Sequence, residues 1–216
     1  MTQNTEIIIA DNQDITCAGL IHACMEIGTQ MPVRVEDKGA LMERLAAEQR
    51  AVVIMDYTLF DVNDIDELLI LSQRFADTRW LIFSEDLSRD FVRRLLVMSA
   101  KFGIVLKDST MFEIKTAIRS SMNGTRFVCQ RMTELMMLAE NQQEEKTALT
   151  PTETEILKDI ALGMTTREIA EKRFSSFHTV NTHRKNIFRK LGVNNVHEAT
   201  KYALRAGLID SAEYCI

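Results

Sequence analysis

The sequence has no apolar run approaching the ~20 residues of a membrane span, and Met1 to Glu6 places no basic flank ahead of an apolar stretch. Neither a membrane helix nor a secretory signal is expected, which predicts cytoplasmic residence. Cysteine is sparse: Cys17, Cys24, Cys129 and Cys215 form no Cys-x-x-Cys pair and have no His at metal spacing. A disulfide framework and a zinc site are therefore not expected, and reduced, packed thiols are. A third absence is local. From Lys172 to Lys190 there are six Lys or Arg and no Asp or Glu, in a chain of formal net charge -5. Positive charge gathered onto one segment calls for a polyanionic partner.

What is present divides in two. Residues 1–140 carry 15 basic and 21 acidic side chains, whereas 141–216 carry 11 and 10. Glu140-Asn141-Gln142-Gln143-Glu144-Glu145-Lys146 has nothing apolar to bury. The expected organisation is a first domain over 1–125, a linker with a helical stretch over 126–148, and a second domain over 149–216.

The first part alternates short apolar runs with helical patterns. The runs are Ile7–Ala10, Val33–Val35, Ala51–Met55, Trp80–Phe83 and Ile104–Leu106. Runs that are apolar at nearly every residue fit strands covered on both faces, and strand-helix order repeated five times predicts a doubly wound α/β fold with a five-stranded parallel sheet. Ligands of such sheets gather beyond the carboxyl ends of the strands. Those ends carry Asp11-Asn12, Asp56, Ser84 and Lys107.

This set resembles the receiver domain of bacterial response regulators, over about residues 1–125. The resemblance implies that a partner histidine kinase phosphorylates Asp56. Asp11, Asn12, Asp56 and Thr58 would hold a Mg²⁺, Lys107 would pair with the phosphoryl group and Ser84 would hydrogen-bond it. A carboxylate attacking a phosphoryl donor needs its charge neutralised, and a hard cation with a lysine does that. Three departures stand out: Asn12 occupies the place of a second acid, Leu59-Phe60 that of a Met-Pro pair, and Ile104 that of an aromatic on the fifth strand. Weaker metal binding is expected from the first.

The last part reads as four short helices with strong punctuation, a small all-α helix-turn-helix domain. Thr150-Pro151-Thr152-Glu153 and Thr165-Thr166-Arg167-Glu168 have the form of capping boxes, and Ser176 and Gly192 bracket a helix over Phe177–Leu191. At about 100° per residue, Val180, Ile187 and Leu191 share a core stripe. His178, Thr182, Lys185 and Arg189 fall opposite, with Asn181 on the flank. Such a polar, basic face suits the major groove of duplex DNA.

Residues 149–209 are similar to the LuxR-type helix-turn-helix of the NarL/FixJ group, through Leu149-Thr150, Glu153, Glu155-Ile156-Leu157, Ile160, Gly163, Glu168-Ile169-Ala170, Thr179-Val180, His183, Ile187, Lys190-Leu191-Gly192-Val193 and Ala199. The resemblance implies that Asn181, Thr182 and Lys185 face bases, and that Thr179, Arg184, Arg189 and Lys190 contact the backbone. It also implies a homodimer, with Ala199, Ala203 and Ala206 on the fourth helix at its contact; core packing accounts for these alanines equally well. The expectation is a DNA-binding transcriptional regulator, not an enzyme, switched by phosphorylation of Asp56. The alternative keeps the DNA and uses a degenerate receiver only for dimerisation or protein binding.

Overall fold

The structure is a computed structural model that describes residues 5–48, 50–85, 87–137, 148–193 and 195–209. Two compact units result, each described on its own.

In the first unit, strands β1 (Glu6–Ala10), β2 (Val33–Val35), β3 (Ala51–Met55), β4 (Arg79–Ser84) and β5 (Phe102–Leu106) form one sheet in the order β2-β1-β3-β4-β5. All pairings are parallel, with Ile9 opposite Ile54 and Ile82 opposite Ile104. The apolar runs end where expected to within one or two residues, because strands buried on both faces admit almost no polar side chain: every residue of β3 and β5 is buried. Helices α1 (Asp14–Glu26), α2 (Lys38–Ala47), α3 (Ile65–Arg74), α4 (Arg89–Met98) and α5 (Met111–Met122) join the strands. Asp37, Ser88 and Thr110 cap α2, α4 and α5 with side-chain oxygens.

The first packed body runs past residue 125. Ile104 donates its N–H to the Phe127 carbonyl and its own carbonyl accepts from Cys129, at 2.8 and 2.9 Å, so a short strap pairs with the outer edge of β5. Gly103 permits this approach, since a Cβ there would lie 3.0 Å from the Phe127 carbonyl oxygen. Helix α6 (Gln130–Met137) follows, burying Met132. The expected linker therefore begins as part of the first domain; residues 138–147, where its polar stretch lies, are outside the described residues.

The second unit holds α7 (Pro151–Ala161), α8 (Thr166–Lys172), α9 (Phe177–Leu191) and α10 (Val196–Arg205). Both capping boxes form, Ser176 and Asn195 cap α9 and α10, and Gly192 ends α9 in the left-handed region at φ +65°. Ile156, Leu157, Ile160, Ile169, Val180, Ile187, Phe188 and Leu191 make its core. Ala199 and Ala203 are fully buried in that same core, whereas Tyr202 and Ala206 are exposed. Of the two accounts of these alanines, packing within the domain applies to Ala199 and Ala203.

Candidate functional site

The strand order reverses between β1 and β3, the switch point beyond whose carboxyl strand ends ligands of such sheets gather. Asp11 follows β1 and Asp56 follows β3, tied together where the Asp56 N–H donates to the Ala10 carbonyl at 3.0 Å. Ser84 ends β4, and Lys107 follows β5 with its N–H on the Ser84 carbonyl. Adjacent parallel strands in register thus deliver four polar side chains to one point, where Asp11, Asp56 and Ser84 are each no more than 1% exposed.

Asp56 is held at both oxygens. Its Oδ1 accepts from the backbone N–H of Thr58 (2.8 Å) and Leu59 (3.3 Å) and from Ser84 Oγ (3.1 Å). Its Oδ2 takes the Lys107 ammonium at 2.7 Å. Lys107 also lies 3.1 Å from Asp11 Oδ2 and 2.7 Å from Gln13 Oε1. Burial alone would lower the Lys107 pKa, but the bond and charge of Asp56, with Asp11, outweigh it and hold the ammonium above its ordinary range. Burial pushes the Asp11 carboxyl up, the Asp56 charge adds to the rise, and the Gln13 N–H and Lys107 oppose it.

The donor set fits a Mg²⁺ in one respect. Asp11 Oδ2 is a buried carboxylate oxygen with no aligned hydrogen-bond donor, beside a second carboxylate. Hard oxygens in that state are what a small divalent cation takes up, commonly through one or two carboxylates plus a phosphate. Thr58 meets Asp56 through its N–H, and Asn12 donates Nδ2 to the Leu59 carbonyl at 3.2 Å, bracing the loop after β3. Gln13 escaped the sequence reading. Its one signal is a long amide at the first helix boundary after the β1 acid, where a short capping side chain is usual.

In the second unit the gathered charge is partly claimed within the fold. Lys172 Nζ and Arg173 Nε each lie 2.7 Å from an oxygen of buried Asp159, and Lys190 Nζ lies 2.7 Å from Glu153 Oε2. Burial would raise the Glu153 carboxyl, but Lys190 and the Thr150 N–H outweigh it and hold it below its ordinary range. Along α9, Thr179 and Arg189 are exposed, Thr182 is half-buried with its hydroxyl on the His178 carbonyl, and Asn181, Arg184 and Lys185 are buried. The Arg184 guanidinium sits 5.8 Å from the centre of the Phe188 ring, so its stem packs along the helix.

Residues 147–203 match the family model described as bacterial regulatory proteins, luxR family. The oxygen regulatory protein NreC of Staphylococcus epidermidis is 30% identical over 150 residues, covering 65% of this chain and 68% of that protein. The chain belongs to the NarL/FixJ group of response regulators. Other relatives agree: the transcriptional regulatory protein MctR of Rhizobium johnstonii is 29% identical over 192 residues, covering 89% of this chain and 81% of that one. Among solved structures, a chain from the structure of two RcsB dimers bound to two parallel DNAs is 26% identical with a TM-score of 0.54, the match covering 92% of this response regulator and 97% of that chain.

Proposed function

We propose that this response regulator accepts a phosphoryl group on Asp56 from a histidine kinase and binds promoter DNA as a homodimer through α9, in the cytoplasm. The observation that carries the reading is the convergence of Asp11, Asp56, Ser84 and Lys107 at the switch point of the sheet. Phosphoryl transfer is mainly positioning and charge neutralisation. An Asp56 carboxylate oxygen attacks the phosphorus of a phosphohistidine; the new P–O bond forms as the P–N bond breaks, and the electron pair leaves with the imidazole. Lys107 neutralises the incoming oxygens, and the Thr58 and Leu59 N–H groups orient the carboxylate. Asp11 and Asp56 would hold a Mg²⁺, which supplies further charge neutralisation when bound.

The test is intact mass after incubation with Mg²⁺ and acetyl phosphate. Wild type gains one phosphoryl group and Asp56→Ala gains none; equal gain by both, or by neither, sinks this reading. A second reading is favoured by Asn12, a neutral residue in the place of a second acid, whose amide donates to the Leu59 carbonyl. In it the first domain serves dimerisation or protein binding, and DNA binding proceeds without phosphorylation. Duplex affinity of Asp56→Ala equal to that of phosphorylated wild type would decide for it.

On the DNA side, Asn181, Thr182 and Lys185 face base edges, and Thr179, Arg184, Arg189 and Lys190 are candidates for contact with the backbone. Replacing Lys185 and Arg189 with Ala weakens duplex binding; unchanged affinity would mean another face binds.

A further inference from the structure

We propose that Gln13 is a positioning residue for phosphoryl transfer, a neutral anchor that holds Lys107 at the site while the charges on both carboxylates change; the proposal rests on the phosphoryl-acceptor reading above.

The Lys107 ammonium donates hydrogen bonds to Asp56 Oδ2 and Gln13 Oε1 and is paired by charge with Asp11 Oδ2, all three oxygens lying within 3.1 Å. Two of these are carboxylates with other work to do. A cation seated on Asp11 Oδ2 repels the ammonium, and a phosphoryl group on Asp56 shifts the negative charge that the ammonium follows from the carboxylate out to the phosphoryl oxygens. Gln13 is neutral and is altered by neither event. Its orientation is settled by chemistry, because an ammonium only donates and the Thr16 hydroxyl also lies 3.0 Å from Oε1, so the amide must present its oxygen. The Gln13 N–H meanwhile donates to Asp11 Oδ1 at 2.7 Å, so one residue ties the first acid to the lysine 94 positions away.

The local structure gives up something for this arrangement. Gln13 has the extended backbone of an N-cap residue, yet its side chain makes no cap bond to α1. Asp37, Ser88, Thr110, Thr150, Thr165, Ser176 and Asn195 all do so for their helices. A shorter side chain would cap α1 but not reach Lys107. A broken local rule with an evident use marks a functional position.

The test compares wild type with Gln13→Ala and Gln13→Glu, the latter keeping an oxygen at the same reach. With Mg²⁺ and acetyl phosphate, Gln13→Ala gains mass about tenfold more slowly, as loss of positioning at a reacting centre commonly does, and Gln13→Glu recovers most of that rate. In a second arm, Mg²⁺ alone is added and Lys107 acylation by an amine-reactive reagent is followed by peptide mass spectrometry. Lys107 labels faster in Gln13→Ala than in wild type or Gln13→Glu. An unchanged rate of mass gain in Gln13→Ala overturns the proposal, as does a loss that Gln13→Glu fails to relieve. If wild type gains no mass, the parent reading has failed, and the labelling arm alone decides whether Gln13 holds the lysine.

Discussion

Lys190 shows how a single residue can change its meaning between sequence and structure. In the sequence it is one of six cations in an acid-free stretch; in the fold its ammonium is bound to Glu153, 37 positions away, at the start of α7. Glu153 in turn closes the capping box with Thr150. Removing Lys190 leaves a buried carboxylate short of its partner, so Lys190→Ala should destabilise the second domain by about 1–3 kcal/mol. The pH dependence has a defined sign. The Glu153 carboxyl lies below its ordinary value of 4.5 in the folded state, so its stabilising contribution is full above that value and is lost as pH falls through the folded pKa. Urea titrations of both proteins between neutral and acid pH check this: the stability gap should narrow on acidification. A gap independent of pH would show that the pair does not supply it.

At the scale of elements, the strap over Phe127–Cys129 and α6 extend the receiver sheet beyond its fifth strand. The strap pairs with Ile104, the position where an aromatic was expected. Gly103 makes the pairing possible, because a Cβ would press on the Phe127 carbonyl at 3.0 Å and on the Leu81 side chain at 3.2 Å. Backbone cannot yield as a flexible side chain does. Gly103→Ala should therefore destabilise the first domain by about 1–3 kcal/mol, as overpacking commonly does, and hydrogen exchange at the Cys129 amide should quicken. Normal protection at Cys129 would mean that the strap tolerates the methyl group. The same element carries Arg131, whose guanidinium pairs with Asp108, the neighbour of Lys107.

For the whole molecule, the decisive property is the uneven distribution of charge between an acidic first part and a near-neutral second part. Duplex binding of such a chain depends on local cations, and each phosphate neutralised contributes about 0.9 to the slope of log affinity against log salt. Replacing Lys185 and Arg189 together should flatten that slope by about 1, through loss of the Arg189 backbone contact, measured by fluorescence anisotropy across a salt series. An unaltered slope with weaker binding would assign the two residues to folding. Lys172 and Arg173, paired with Asp159, should contribute less to the slope than their charge suggests.

Much was legible in the sequence because local rules are strong where burial is complete. Strands with both faces covered have to be apolar, so β1 to β5 and the polar residues at their ends could be read directly. The capping boxes at Thr150 and Thr165 were equally plain, since cap chemistry is confined to four consecutive residues. Beyond that range the sequence is silent. Nothing local says that Gln13 turns from its helix to Lys107, that the strap pairs with β5, or that Lys190 belongs to Glu153. Each joins positions far apart in the chain, through contacts that exist only once the elements have packed. The sequence by itself determined the two domains, their elements and the acidic site; tertiary structure decided which charges remain at the surface and which are held by partners inside the fold.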